Sequence, residues 1–233
     1  HPPETPMKRI VSINLAPNAA DYELTTEFLG ETFHVRRLGA DWDVDRAITL
    51  LDRAQHEADA IGLGMVRDHA TVGTRRLRDR LTSRLEGVVT NVPVTTGATL
   101  RTFFDEWCVR HVQSEEGQYF TNARTLFLSG ITNYRTAAIL AEHSRNLRFA
   151  DPATLHGVPR ILNSLRALET YAGTAARLRR WTASRPLAQD GPPRLPLTRR
   201  AVRRAMEWAH FVVGPWQEIE QYSNDELHRK VVV

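Results

Sequence analysis

Short apolar runs and longer amphipathic ones alternate along the chain. Ile10, Val11, Ile13 and Leu15 predict a first strand. Ala16-Pro17-Asn18 predicts a turn, with Asp21 as the N-cap of a helix over 22–29. A second strand is expected over 33–38, a loop over 39–43, and a helix over 44–57. In that helix Val44, Ala47, Ile48, Leu51 and Ala54 share one face. A third strand over 59–66 contains Gly62 and Gly64, which suit close packing better than phosphate binding because they precede the loop.

The loop 67–73 should lead to a basic helix over 74–85 and a fourth strand over 87–94. The segment 95–99 opens a helix over 100–114. Next comes a strand–turn–helix–strand unit: 125–128, the turn at Ser129-Gly130, helix 131–143, and strand 147–150 closed by Asp151-Pro152. Beyond it Ile161, Leu162, Leu165, Leu168 and Tyr171 form a helical apolar face. Four prolines fall in 182–197, which reads as a linker or ordered loop. Thr198 should N-cap a last helix running through Phe211, and 227–233 looks like a terminal strand.

Strands and helices alternating about every 30 residues predict an α/β fold, a mostly parallel Rossmann-like or flavodoxin-like sheet with helices on both faces and a helical C-terminal extension. The expected domain plan is an extension or tag remnant over 1–6, one α/β domain over 7–181, the linker 182–197, and a helix with terminal strand over 198–233 that could begin a further domain.

Composition narrows the function classes. Of 233 residues, 42% are hydrophobic and 25% charged, so a sizeable core is within reach. No apolar run approaches the roughly 18–20 residues of a membrane span. One cysteine, Cys108, excludes an internal disulfide and argues against a cysteine-based metal site, so the expected compartment is a reducing cytoplasm. The net charge is only +4, yet arginines cluster in 67–84 and 177–204. Such clusters suit anionic partners: a phosphorylated cofactor, a small-molecule anion or an acidic carrier protein. Nucleic acid ranks last, because no stacking aromatics or nucleic-acid motif accompany the arginines. A homo-oligomer is compatible with the sequence.

In parallel sheets ligands sit at the strand carboxyl ends, which selects the loops after the strands. The strongest anion signal is Thr95, Thr96, Gly97 and Thr99, where hydroxyls and N–H groups meet a helix start. A plain N-cap explains the same residues. Arg67, Asp68 and His69 add a cation, a carboxylate and an imidazole that titrates near neutrality; Asp68 and His69 are the catalytic candidates. The turn Ser129, Gly130, Thr132 and Asn133 carries one glycine where dinucleotide turns carry three. Asp151 stands about 20 residues on, where an acid would meet a ribose hydroxyl. An NAD(P) cofactor is therefore an expectation for this turn, with an ordinary crossover as the alternative. A shared cleft would set Ser129–Asn133 opposite Thr96 and the 67–69 loop. No metal-ligand spacing and no Walker, H-E-x-x-H or G-x-S-x-G motif occurs.

The order V-x-T-T-G-x-T, long helix, then A-R-T-L-F-L-S-G resembles the middle of the long-chain acyl-carrier-protein reductases and their shikimate-dehydrogenase-like relatives. Thr95, Thr96, Gly97 and Thr99 match the first motif; Gly130 and Asp151 match the second. The similarity extends to uncharacterised bacterial proteins labelled dehydrogenase. The resemblance covers roughly 61–151 and implies a dehydrogenase or reductase binding a nicotinamide nucleotide or an acyl or carboxylate substrate. That family's catalytic cysteine lies after the nucleotide-binding unit, where this chain has none. A non-catalytic anion-binding or sensory module of the same fold is the alternative.

Overall fold

The computed structural model describes residues 7–178, 195–223, 227 and 230–232. The extension expected over 1–6, and the proline-rich segment as far as residue 194, lie outside them. The chain divides into two compact units. The first comprises residues 7–68 and Arg78–Ala98; the second comprises His69–Leu77 and the described residues from Thr99 onward.

The first unit holds β1 (Lys8–Asn14), β2 (Tyr22–Phe28), β3 (Glu31–Gly39), α1 (Val44–Ala54), β4 (Ala60–Gly64), α2 (Arg80–Glu86) and β7 (Val94–Thr95). Its five-stranded sheet has the order β2-β3-β1-β4-β7, parallel except for β2. Alternation in β1 sends Val11 and Ile13 to one face, where α1 and α2 cover them with Ala47, Leu51, Ala54, Leu81 and Leu85. Asp43 caps α1 by accepting from the N–H groups of Asp45 and Arg46.

Residues 22–29 form a strand and a turn, not the expected helix. Tyr22, Leu24, Thr26 and Phe28 alternate with Glu23, Thr25 and Glu27, a period-two pattern rich in β-formers. Leu29 and Gly30 both have positive φ, the geometry of a two-residue hairpin turn. Asp21 does not cap a helix: its carboxylate accepts from the Arg37 guanidinium and the Gly39 N–H. At Gly64 an added Cβ would lie 2.2 Å from the Asn14 side-chain nitrogen, so this glycine is a close-packing position.

The basic helix expected over 74–85 is also replaced. β5 (Ala70–Val72) and β6 (Arg75–Leu77) form an antiparallel hairpin around Gly73, and only α2 is helical. Asp79 caps α2 through the Thr82 N–H, so the helix starts after it. The fourth strand shrinks to β7.

The second unit holds the β5–β6 hairpin, α3 (Ala98–Glu115, from Thr99), β8 (Thr125–Phe127), α4 (Tyr134–His143), β9 (Leu147–Phe149), α5 (Asp151–His156), α6 (Leu165–Leu178), α7 (Pro196–Trp208), β10 (Phe211–Val213), α8 (Trp216–Tyr222) and β11 (Val231–Val232). Its sheet, β11-β10-β8-β9, is parallel throughout. Both faces are covered. Phe127, Phe149, Phe211 and Val213 pack with residues of α4 and α6; Leu126, Leu128 and Val212 pack with Val202, Ala205 and Met206 of α7 and Ile219 of α8.

Residues 211–213 are a strand where helix was expected, because Phe211-Val212-Val213 fits the slot beside β8 and is buried at every position. Thr198 lies inside α7, its hydroxyl bonded to the Gly157 carbonyl. In place of the single sheet expected over 7–181 there are two larger sheets and the separate β5–β6 hairpin. Strand signals reveal that strands exist, while pairing partners are set by contacts far apart in sequence.

Candidate functional site

In the second unit β8 connects through α4 to β9 on one side, and β10 lies on the other. The connections diverge above β8, the place where parallel sheets open a crevice. Two loops meet there: Ser129–Asn133 after β8, and Gly214-Pro215 leading into α8.

The β8 turn is built from inside. Ser129 is 8% exposed. Its carbonyl accepts from the Asn133 N–H at 3.1 Å and the Asn133 side-chain amide at 2.9 Å. The successive N–H groups of Gly130 and Ile131 point into the protein and form a small anion-binding nest. Asp151 fills it. Its carboxylate accepts from the Gly130 N–H at 3.0 Å and the Ile131 N–H at 2.8 Å, and the residue is 0% exposed. Burial pushes its carboxyl up to about 7; the two N–H bonds act downward, and the Glu218 charge adds to the rise.

Across the divergence point Ser129 Oγ donates to Glu218 Oε2 at 2.5 Å. The Glu218 partner comes from α8, which starts at Trp216 directly after Pro215. Beneath the same turn the Tyr171 hydroxyl meets the Asp151 carbonyl at 3.4 Å and also bonds His156 Nδ1. Alongside, the Tyr134 hydroxyl donates to Glu169 Oε1 at 2.5 Å. Burial and that bond push the Tyr134 phenol up to about 12.

The candidate residues separate as follows. Ser129, Gly130, Asn133 and Asp151 form one turn, while Thr132 is exposed beside it. Thr95, Thr96 and Gly97 belong to the first unit. Thr95 Oγ1 accepts from the Gly97 N–H and Thr96 Oγ1 from the Ala98 N–H, so both hydroxyls serve the turn and helix start; Thr99 is exposed. Arg67 is exposed and its carbonyl accepts from the Thr82 hydroxyl; Asp68 and His69 are half-buried. Arg67 and Asp68 fall in the first unit and His69 in the second. Of the arginines expected on a basic helix, Arg75 stands on the β5–β6 hairpin against Gly173.

The β8 turn does not fit a diphosphate. Both N–H groups that would meet it are engaged by Asp151, and a Cβ at Gly130 would stand 2.4 Å from Phe149 Cδ1. Gly130 therefore serves packing of β9 against the turn. Asp151, enclosed, offers no carboxylate oxygen to a ribose. Glu218 escaped sequence reading because it sits 89 residues from Ser129, after a strand read as helix. The only local signal was Gly214-Pro215, which marks a turn.

A serine bonded to a carboxylate is a weak nucleophile, since a carboxylate is a poor base for a hydroxyl. The pair is better suited to holding a ligand hydroxyl. Among the described residues no group of three or more His, Cys, Asp or Glu is placed to hold a metal ion, and no helix is long and apolar enough to cross a membrane.

No protein of curated description matches the chain. Among solved structures it is similar to unliganded arylmalonate decarboxylase at 15% identity, covering 97% of this chain and 86% of that one, with a TM-score of 0.27. Likeness at that level carries neither fold nor reaction. Residues 9–96 match the domain of unknown function DUF8753, and 99–233 match the domain of unknown function DUF8754. The second match takes in more than half of the chain, which therefore belongs to the DUF8754 family.

Proposed function

We propose that the chain binds a small hydroxyl-bearing ligand, of the nucleoside or sugar class, above the carboxyl ends of β8 and β10. The second unit is read here as a Rossmann-like, doubly wound sheet, in which that crevice is the binding place. The Ser129–Glu218 hydrogen bond carries the reading. It joins the two diverging loops, and a ligand hydroxyl entering between them can accept from Ser129 and donate to Glu218, so that neither is left unpaired. The Glu218 carboxylate in front of the turn disfavours anions there.

Thermal-shift measurements on the full chain test this with nucleosides and polyols against phosphates and carboxylates. Hydroxyl-bearing ligands should stabilise the wild type and lose that effect in Glu218→Gln. If anions stabilise best, and equally in Glu218→Gln, the anion-binding alternative centred on Thr95–Thr99 replaces this reading. The oxidoreductase reading is supported by the β8–α4–β9 crossover and the motif order, and opposed by the filled nest. It expects calorimetric binding of NADPH or NADH with little response to the nucleoside alone.

A further inference from the structure

Helix α3 is amphipathic the wrong way round for its own unit. Its inward side is polar and ties to α4: Glu106 accepts from Arg135 at 2.8 Å, Arg110 donates to Glu142 at 3.2 Å, and Asp105 meets the Thr136 hydroxyl at 3.5 Å. Val109 is the buried apolar contact on that side. The outward side carries Leu100, Phe103, Phe104 and Trp107, exposed by 62%, 65%, 53% and 53%. Their spacing of three, four and seven residues makes one continuous stripe, extended by His111 stacked on Trp107 at 4.8 Å.

Taking about 150–250 Å² per aromatic side chain, these four residues present on the order of 400 Å² of apolar surface. That is the size of the largest patch of a typical monomer, which is often a functional surface. It is also about half of the roughly 800 Å² that each partner buries in a stable complex, leaving a polar rim to supply the rest.

We infer that α3 is a dimerisation helix that pairs antiparallel with α3 of a second copy of this chain. The stripe is self-complementary about a two-fold axis near its middle. Leu100 of one copy faces Trp107 of the other, and the Phe103–Phe104 pair meets its own counterpart. The axis falls between Phe103 and Phe104, nearer the start of α3 than its middle, so the two helices overlap over about 98–109.

Sedimentation equilibrium of the full chain is the test. A mass of twice the chain is expected by about 100 μM. Phe103→Glu with Trp107→Glu should give a monomer with unchanged far-UV circular dichroism, while Phe28→Ser in the first unit leaves the dimer intact. If the double variant misfolds, Phe103→Ala should still raise the dissociation constant at least about tenfold. A spin label on the exposed Cys108, which flanks the stripe, should report a second label within about 25 Å. A wild type that stays monomeric at that concentration overturns the inference. So does a dimer that neither Phe103 variant weakens, or one whose Cys108 labels lie far apart.

Discussion

Replacing Asp151 by asparagine separates charge from shape at the centre of the β8 turn. Burial raises the Asp151 carboxyl from 3.8 to about 7. A carboxyl raised in the folded state binds its proton more tightly there than in the unfolded chain. Its stabilising contribution is therefore complete below about 3.8 and is lost as pH rises toward 7. At about 1.36 kcal/mol per unit, the wild type should lose about 3 kcal/mol between pH 4.5 and 7.5 through this group. The asparagine side chain does not titrate, so that component disappears in the variant. It also presents an amide donor to one of the two N–H groups, which costs about 1–3 kcal/mol at every pH. Urea unfolding of both proteins at several pH values gives the assay, and the difference between them cancels every other titrating group. Wild-type stability minus variant stability should fall by about 3 kcal/mol across that interval. A difference that stays flat within about 1 kcal/mol, or grows with pH, would refute the account of a desolvated Asp151 filling the nest.

Carboxyl ¹³C titration of Asp151 should show its midpoint moving down in Glu218→Gln, because the Glu218 charge helps to hold it up; an unmoved midpoint removes that coupling. Gly130→Ala drives a methyl group into Phe149, Asp151 and Leu168 and should cost about 1–3 kcal/mol in urea unfolding. Phe127→Ala, emptying a fully buried position stacked on Phe149 at 5.3 Å, should cost about 3–5 kcal/mol. Thr125 Oγ1 is buried with no hydrogen-bond partner among the described residues, so Thr125→Val should raise the urea midpoint, a gain of about 1 kcal/mol.

Local pattern alone determined a good deal. The face of α1, the span of α3, and the order β8–α4–β9 follow from apolar periods of 3.6 and 2 and from turn residues such as Ser129-Gly130. Those signals are complete within a dozen residues, and so they survive without knowledge of the rest of the chain. The helix–strand alternation likewise determined the α/β class.

Only tertiary structure decided what those elements do. Residues 22–28 read as helix or strand according to whether β3 is there to pair with them, and Phe211–Val213 is a strand because β8 offers a slot. Asp151 stood at the expected spacing from Gly130, but its direction depends on the nest it fills. Ser129 meets Glu218 across 89 residues, and α3 turns its apolar stripe outward because α4 binds its polar side. Each of these outcomes is a contact between segments far apart in the chain. Sequence pattern records the propensity of each partner; the free energy that chooses between them lies in the pairing itself.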